Sequence, residues 1–120
     1  MAEKQRTLKA PVKLVGVGLH TGEKVTLEIE PAPANHGYKF QRVDLDDQPI
    51  IKADCDLVVA TDRGTTLESN GARVYTTEHV LAALYGCQVD NALIKLDGPE
   101  IPIMDGSSAP FVTAIESVGY

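Results

Sequence analysis

Alternation of apolar and polar residues is the clearest pattern in the first part of the chain. Val25, Leu27 and Ile29 are apolar and the residues between them are polar, which predicts a half-buried strand with one wet face. The preceding apolar run contains Pro11, and proline is accepted in an edge strand but not in a central one. Similar short runs predict strands at 8–15, 38–43, 50–53, 57–60, 65–67 and 72–75, and another that begins at Asn91.

After residue 76 the spacing of the apolar residues changes from every second position to the spacing of a helix. A threonine at 76 or 77 can cap the start of this helix and Gly86 can end it; its apolar face is Val80, Leu81, Ala83 and Leu84. A second amphipathic helix is predicted after Ser107 or Ser108, with Pro110 in its first turn. Its apolar positions are Phe111, Ala114, Ile115 and Val118.

Many strands and two separate helices predict an α+β fold, a two-layer sandwich in which both helices pack on one face of a mixed sheet. The dipeptide Asn70-Gly71 between two short strands is a strong hairpin signal, because both positions tolerate positive φ. We therefore expect the middle of the chain, at about 53–73, to form a small inserted sheet of its own.

Length and charge narrow the possible functions. A chain of 120 residues is the size of one domain, and no apolar run approaches the roughly 20 residues of a membrane helix. The net charge of −6 repels phosphate backbones and argues against a nucleic-acid partner. The two cysteines, Cys55 and Cys87, have no zinc-finger spacing, and with no secretion signal they indicate reduced thiols and a cytoplasmic protein.

The pair Glu78-His79 at the predicted helix start is the first candidate for chemistry. The helix dipole favours an ionised carboxylate there, which can accept a proton, and a neutral imidazole, which can bind a metal. A first-turn glutamate is also commonly a simple complement to the dipole. The helix carries no HExxH motif, since Ala82 and Ala83 occupy the positions of a second ligand.

The glycine-rich run 16–22, GVGLHTG, predicts a loop or tight turn. It lacks the third glycine of a dinucleotide-binding loop, because Thr21 stands there, and it lacks the lysine of a P-loop. Phosphate binding is therefore a weak interpretation, and His20 can equally be an ordinary loop residue.

Several segments occur together in one order: 5–8, GVGLHTG at 16–22, 31–35, 42–45, TEHVLAAL at 77–84, 90–91, and EIPIMDGSSAPF at 100–111. This ordered set resembles the bacterial UDP-3-O-acyl-N-acetylglucosamine deacetylases, the zinc amidases early in lipid A biosynthesis. The resemblance implies a two-domain enzyme whose active site lies between the domains. Residues 1–120 would be the first domain, and the second domain would be absent from this chain.

The resemblance also implies roles for individual residues. His79 would be one ligand of the catalytic Zn²⁺, and Glu78 would be the general base for the zinc-bound water. Leu19 and His20 would neighbour the substrate. Asp62 in the insert would also neighbour the substrate, although Asp62-Arg63-Gly64 replaces a stretch that is often apolar in relatives. Asp105 would support the domain junction. The remaining zinc ligands, a histidine and an aspartate, would belong to the second domain.

These implications leave two functions open for the chain itself. One is the N-terminal half of a deacetylase that acts on UDP-3-O-acyl-N-acetylglucosamine and is inactive when isolated, because catalytic zinc needs three protein ligands. The other is a non-catalytic binding or assembly module with the same fold. Apolar residues of the second helix, Phe111, Ile115 and Val118, belong either to the core or to an exposed patch that would make the chain self-associate.

Overall fold

The computed structural model describes residues 5–53, 58–59, 65–69 and 71–120. Eight strands and two helices occur in these residues. The first strands along the chain are β1 (Val12–Val17), β2 (Lys24–Pro31), β3 (Tyr38–Arg42), β4 (Ile50–Lys52) and β5 (Val58–Val59). They are followed by β6 (Thr66–Ser69), β7 (Ala72–Val74), α1 (Glu78–Gly86), β8 (Ala92–Leu96) and α2 (Ala109–Val118).

The main sheet has five strands in the order β1-β2-β8-β3-β4. All neighbouring strands are antiparallel except β3 and β8, which run parallel, so the sheet is mixed. β1 lies at one edge and begins just after Pro11, as the proline predicts. β8 is the central strand, and its Ala92, Ile94 and Leu96 are fully buried.

The period-two pattern of the strands puts one side of the sheet into the core. Leu27 pairs with Leu96 and Ile29 with Ile94 between β2 and β8, and all four side chains are fully buried. The helices contribute the second layer, with their buried residues Val80, Ala83, Leu84, Phe111 and Ile115 in the same core cluster. The predicted α+β two-layer fold is confirmed.

A separate three-stranded sheet, β5-β6-β7, confirms the predicted small inserted sheet. Its β6–β7 hairpin turns at Gly71, where φ is +76°, and it pairs buried Leu67 with buried Val74. The buried Arg42 at the end of β3 donates from Nη1 to the carbonyl of Arg73 in β7, at 2.9 Å, and this bond joins the two sheets. Around β5, the rest of the predicted strand at 57–60 lies outside the described residues.

The helix ends differ in detail from the prediction. Ser108 and Thr77 are the N-cap residues, but neither side chain makes a capping hydrogen bond. α1 ends at Gly86 as expected, yet the left-handed residue that turns the chain is Gln88, with φ of +58°. The glycine-rich run is also only partly a loop, because Gly16 and Val17 extend β1 and the turn starts at Gly18.

The apolar residues of α2 are divided between the core and its margin. Phe111 and Ile115 are fully buried and Val118 is half-buried, so of the two alternatives the core holds for Phe111 and Ile115. Val15 and Val17 on the edge strand are instead about half exposed, at 51% and 48%. Self-association of the chain stays a prediction. Among the described helices, none is both long and apolar enough to cross a membrane.

Candidate functional site

The candidate catalytic pair occupies the first turn of α1. Glu78 and His79 are the first two residues of the helix, and both side chains are half-buried. Glu78 Oε2 accepts a hydrogen bond from the backbone N–H of Thr65 at 2.9 Å. The partial positive charge of the helix N-terminus lies at the same place.

A second set of bonds fixes the helix start to the inserted sheet. The backbone N–H and the Oγ1 hydroxyl of Thr77 both donate to the carbonyl of Thr65, at 3.0 and 3.1 Å. Thr77 is fully buried. This explains the missing side-chain cap, because the hydroxyl bonds the inserted sheet instead of the helix. The sequence therefore predicted where α1 begins, but the hydroxyl of its N-cap residue Thr77 does not cap the helix.

The glycine-rich turn lies beyond the end of β1. Gly18 forms an isolated bridge with Pro102, and the N–H of Gly22 donates to the carbonyl of Gly18 at 3.0 Å. Leu19 is 59% exposed and His20 is exposed as well. The turn thus presents both predicted substrate-neighbouring side chains to the surface.

Glu100 is the central residue of the site that sequence reasoning missed. It is 1% exposed, and its Oε1 accepts from the backbone N–H groups of His20 and Thr21, each at 3.0 Å. Its Oε2 accepts from the Thr76 hydroxyl at 2.8 Å. Burial acts to raise the pKa of Glu100, but the hydrogen bonds from Thr21, Thr76 and His20 outweigh it and lower the pKa below its usual value.

The backbone of the segment around Glu100 also forms hydrogen bonds with the end of β1 and with the residues just before α1. The N–H of Tyr75 donates to the Pro99 carbonyl at 2.8 Å, and the N–H of Ile101 donates to the Tyr75 carbonyl at 3.2 Å. On the other side, the N–H of Ile103 donates to the Val17 carbonyl at 2.9 Å. One segment therefore lies between the end of β1 and the residues that lead into α1.

Asp105 organises the approach to α2. Its Oδ1 accepts from the backbone N–H of Ser107 at 2.9 Å and from the Ser107 hydroxyl at 2.6 Å, and these bonds lower the pKa of Asp105. A protonated His79 would act on this pKa in the same direction. The supporting role of Asp105 at a domain junction stays a prediction. Asp62 lies outside the described residues.

A zinc ion needs more ligands than the described residues supply together. No group of three or more His, Cys, Asp or Glu side chains in the described ranges is arranged to hold a metal. Catalytic zinc sites use three protein ligands and keep one open position. His79 alone does not meet that requirement, so a zinc site at this helix start would need ligands beyond the residues described here.

Comparisons with known proteins agree with the arrangement of motifs. A family model described as UDP-3-O-acyl N-acetylglycosamine deacetylase (LpxC) matches residues 5–120. The chain is 54% identical over 116 residues to the bifunctional enzyme LpxC/FabZ of Bacteroides thetaiotaomicron. It is 49% identical over 115 residues to the UDP-3-O-acyl-N-acetylglucosamine deacetylase of Xanthomonas campestris pv. campestris (strain B100).

These alignments cover nearly all of this chain but only part of each relative. They include 97% and 96% of the chain, against 25% of the Bacteroides protein and 38% of the Xanthomonas protein. The chain therefore spans between a quarter and two fifths of the length of these relatives. Because the family model matches residues 5–120, almost the whole chain, the chain belongs to the UDP-3-O-acyl N-acetylglycosamine deacetylase family.

Proposed function

We propose that this chain supplies one side of the active site of a deacetylase that removes the N-acetyl group of UDP-3-O-acyl-N-acetylglucosamine. The observation that carries the proposal is the half-buried pair Glu78-His79 at the start of α1, tied through Glu100 and Thr76 to the turn with Leu19 and His20. Family membership supports the same reaction. The proposed reaction belongs to lipid A biosynthesis in the cytoplasm, where the free thiol of Cys87 stays reduced.

Glu78 is the proposed general base. The N–H of Thr65 holds its carboxylate in place at the start of α1. It takes a proton from water as the water oxygen attacks the acetamide carbonyl carbon. The C–N bond then breaks as that proton passes to the leaving nitrogen, which gives acetate and the free sugar amine. General bases of this kind contribute about 10²–10⁴-fold to the rate.

His79 is the proposed contribution of this chain to a Zn²⁺ site. Zinc, when bound, lowers the pKa of its water and polarises the carbonyl of the substrate. The other ligands would lie in the part of the relatives that this chain does not span, which we propose to be a second domain. On this basis the 120-residue chain alone is inactive.

The surrounding residues have proposed roles in recognition and support. Leu19 and His20 contact the substrate from the glycine-rich turn, and Asp62 contacts it from the inserted segment. Asp105 holds the loop before α2 through its bonds to Ser107. These assignments rest on the family resemblance and on the exposure of the turn.

Acetate release tests the proposal. The complete product of the gene that encodes this chain is assayed with UDP-3-O-acyl-N-acetylglucosamine, before and after removal of metal by a chelator and again after addition of zinc. We expect activity that is lost with the metal and restored by zinc, and none from the 120-residue chain alone. A metal-loaded gene product that releases no acetate would contradict the proposed function and favour the non-catalytic module. Activity of the chain alone would contradict its proposed dependence on outside ligands.

A further inference from the structure

Glu100 connects two parts of the molecule that the proposed reaction must hold together. One carboxylate oxygen accepts the N–H groups of His20 and Thr21, and the other accepts the hydroxyl of Thr76, two residues before Glu78. Since Glu100 is 1% exposed, water does not compete effectively for these bonds. One buried side chain therefore ties the turn to the start of α1.

The residues around the carboxylate show that its position is closely determined. A Cβ added to Gly18 would lie 2.4 Å from Glu100 Oε1, so the turn approaches the carboxylate as closely as a glycine permits. Thr76 has a φ of +61°, a rare and strained conformation for a β-branched residue. Such backbone strain persists only where the surrounding structure determines the conformation. The Thr76 hydroxyl bond to Glu100 is part of that determination.

We propose that Glu100 is a positioning residue that sets the spacing between the turn bearing Leu19 and His20 and the helix start bearing Glu78 and His79. The inference rests on the proposed function, because the turn is taken to hold substrate and the helix start to act on it. Glu100 itself does not contact substrate in this account. Its effect on the rate arises because a displacement of about 1 Å between substrate and catalytic group can cost roughly 100-fold.

Two substitutions at Glu100 compare a variant that breaks the connection between the turn and Thr76 with one that keeps it. Glu100→Ala removes both acceptor oxygens and releases the turn from Thr76. Glu100→Gln keeps one oxygen for the N–H groups of His20 and Thr21 and loses the longer bond, at 3.3 Å, from the His20 N–H to Oε2. Its NH₂ can donate to the Thr76 hydroxyl, which also accepts. The glutamine variant therefore preserves the connection, whereas the alanine variant does not.

The first experiment measures kcat and KM for acetate release by the complete gene product, per folded and zinc-loaded molecule. We expect kcat of Glu100→Ala to fall about 100-fold, and that of Glu100→Gln to stay within about tenfold of the wild type. Ile29→Ala is the control for destabilisation alone. Ile29 is fully buried and pairs with Val12, at the end of β1 away from the turn, so we expect this variant to keep its kcat. Wild-type kcat in Glu100→Ala, or an equal loss in both Glu100 variants, would overturn the proposal.

A second experiment uses the 120-residue chain and needs no activity. In amide NMR spectra, Glu100→Ala is expected to move the signals of Glu78 and His79 as well as those of His20 and Thr21. Glu100→Gln should leave the helix-start signals near their wild-type positions. Changes confined to the turn would show that Glu100 does not position the helix start. An inactive wild-type gene product would instead contradict the proposed function, and the NMR result would still decide whether Glu100 sets the spacing.

Discussion

Gly18→Ala places a methyl group at a closely packed point of the candidate site. The new Cβ would lie 2.4 Å from Glu100 Oε1 and 2.5 Å from Thr21 Oγ1, both well inside normal contact distance. Thr21 is only half-buried, so its hydroxyl can rotate away. Glu100 cannot move without loosening its bonds to His20, Thr21 and Thr76.

The structure gives the size of the expected effect. Overpacking by one methyl group typically costs about 1–3 kcal/mol. Weakening one charge-assisted hydrogen bond of a buried carboxylate adds roughly 1.5–3 kcal/mol. If Glu100 shifts, the steric clash is relieved while its hydrogen bonds weaken, so the two costs do not add in full. We therefore expect Gly18→Ala to lower the free energy of unfolding by about 2–4 kcal/mol.

Urea denaturation of the 120-residue chain, followed by circular dichroism, measures this loss. Gly86→Ala is the matched control, because Gly86 ends α1 and a Cβ there would meet nothing within 4 Å. That variant should be as stable as the wild type or slightly more stable, by up to about 1 kcal/mol. In a Glu100→Ala background, the cost of Gly18→Ala should shrink by more than about 1 kcal/mol, because one of the clashing atoms is gone. Gly18→Ala within about 0.5 kcal/mol of the wild type would refute the reasoning.

Three further predictions concern pH, packing and metal. The pKa of Glu100 is lower in the folded state than the unfolded pKa of about 4.3, so ionised Glu100 stabilises the fold above pH of about 4.3. This stabilisation is lost as the pH falls through the folded-state pKa, so the urea midpoint of the wild type should fall with it. The urea midpoint of Glu100→Gln should not show this loss. Leu84→Ala should lower the free energy of unfolding by about 2–5 kcal/mol, whereas Tyr85→Ala, at a side chain that is 81% exposed, should cost less than about 0.5 kcal/mol by the same assay. In calorimetric titration, zinc should bind tightly to the complete gene product and more weakly to its His79→Ala variant, by about tenfold or more; unchanged binding would exclude His79 as a ligand.

Periodicity predicted the layers of the fold because burial follows it directly. The alternation at Val25, Leu27 and Ile29 appears in β2 as three buried side chains, and the helical spacing of Phe111 and Ile115 appears as the buried face of α2. These patterns depend only on which residues face the core. They need no knowledge of the partner elements.

Long-range polar contacts were not predictable in the same way. Glu100 looks like an ordinary loop carboxylate along the chain, and only the fold brings it to N–H groups 79 and 80 residues away. The positive φ of Thr76 was also missed, because a bond to the distant Glu100 helps to hold that residue there. The positive φ of Gln88 belongs to the local turn that ends α1, in which the N–H groups of Gln88 and Val89 donate to the carbonyls of Tyr85 and Leu84, and a glutamine does not signal such a turn. A glutamate between Gly98-Pro99 and a predicted helix was the only signal in the sequence.

The candidate catalytic pair was found by resemblance more than by spacing. Helix position placed Glu78 and His79 correctly at the start of α1, and the structure confirms that location. Their chemical roles stay predictions, since the described residues supply no three-ligand metal cluster. On the proposed function, the remaining ligands lie in the part of the relatives that this chain does not span, and no pattern within the chain can identify them.

The most direct test of the account is the effect of Glu78→Gln on acetate release by the complete gene product. Glutamine keeps an oxygen that can accept the N–H of Thr65 at the helix start but cannot take a proton from water. Glu68→Gln, in strand β6 of the inserted sheet, is the matched control. The account predicts that kcat falls by about 10²–10⁴-fold in Glu78→Gln, with bound zinc and stability retained, and stays near wild type in the control. Wild-type kcat in Glu78→Gln would contradict the central claim that this helix start carries the chemistry.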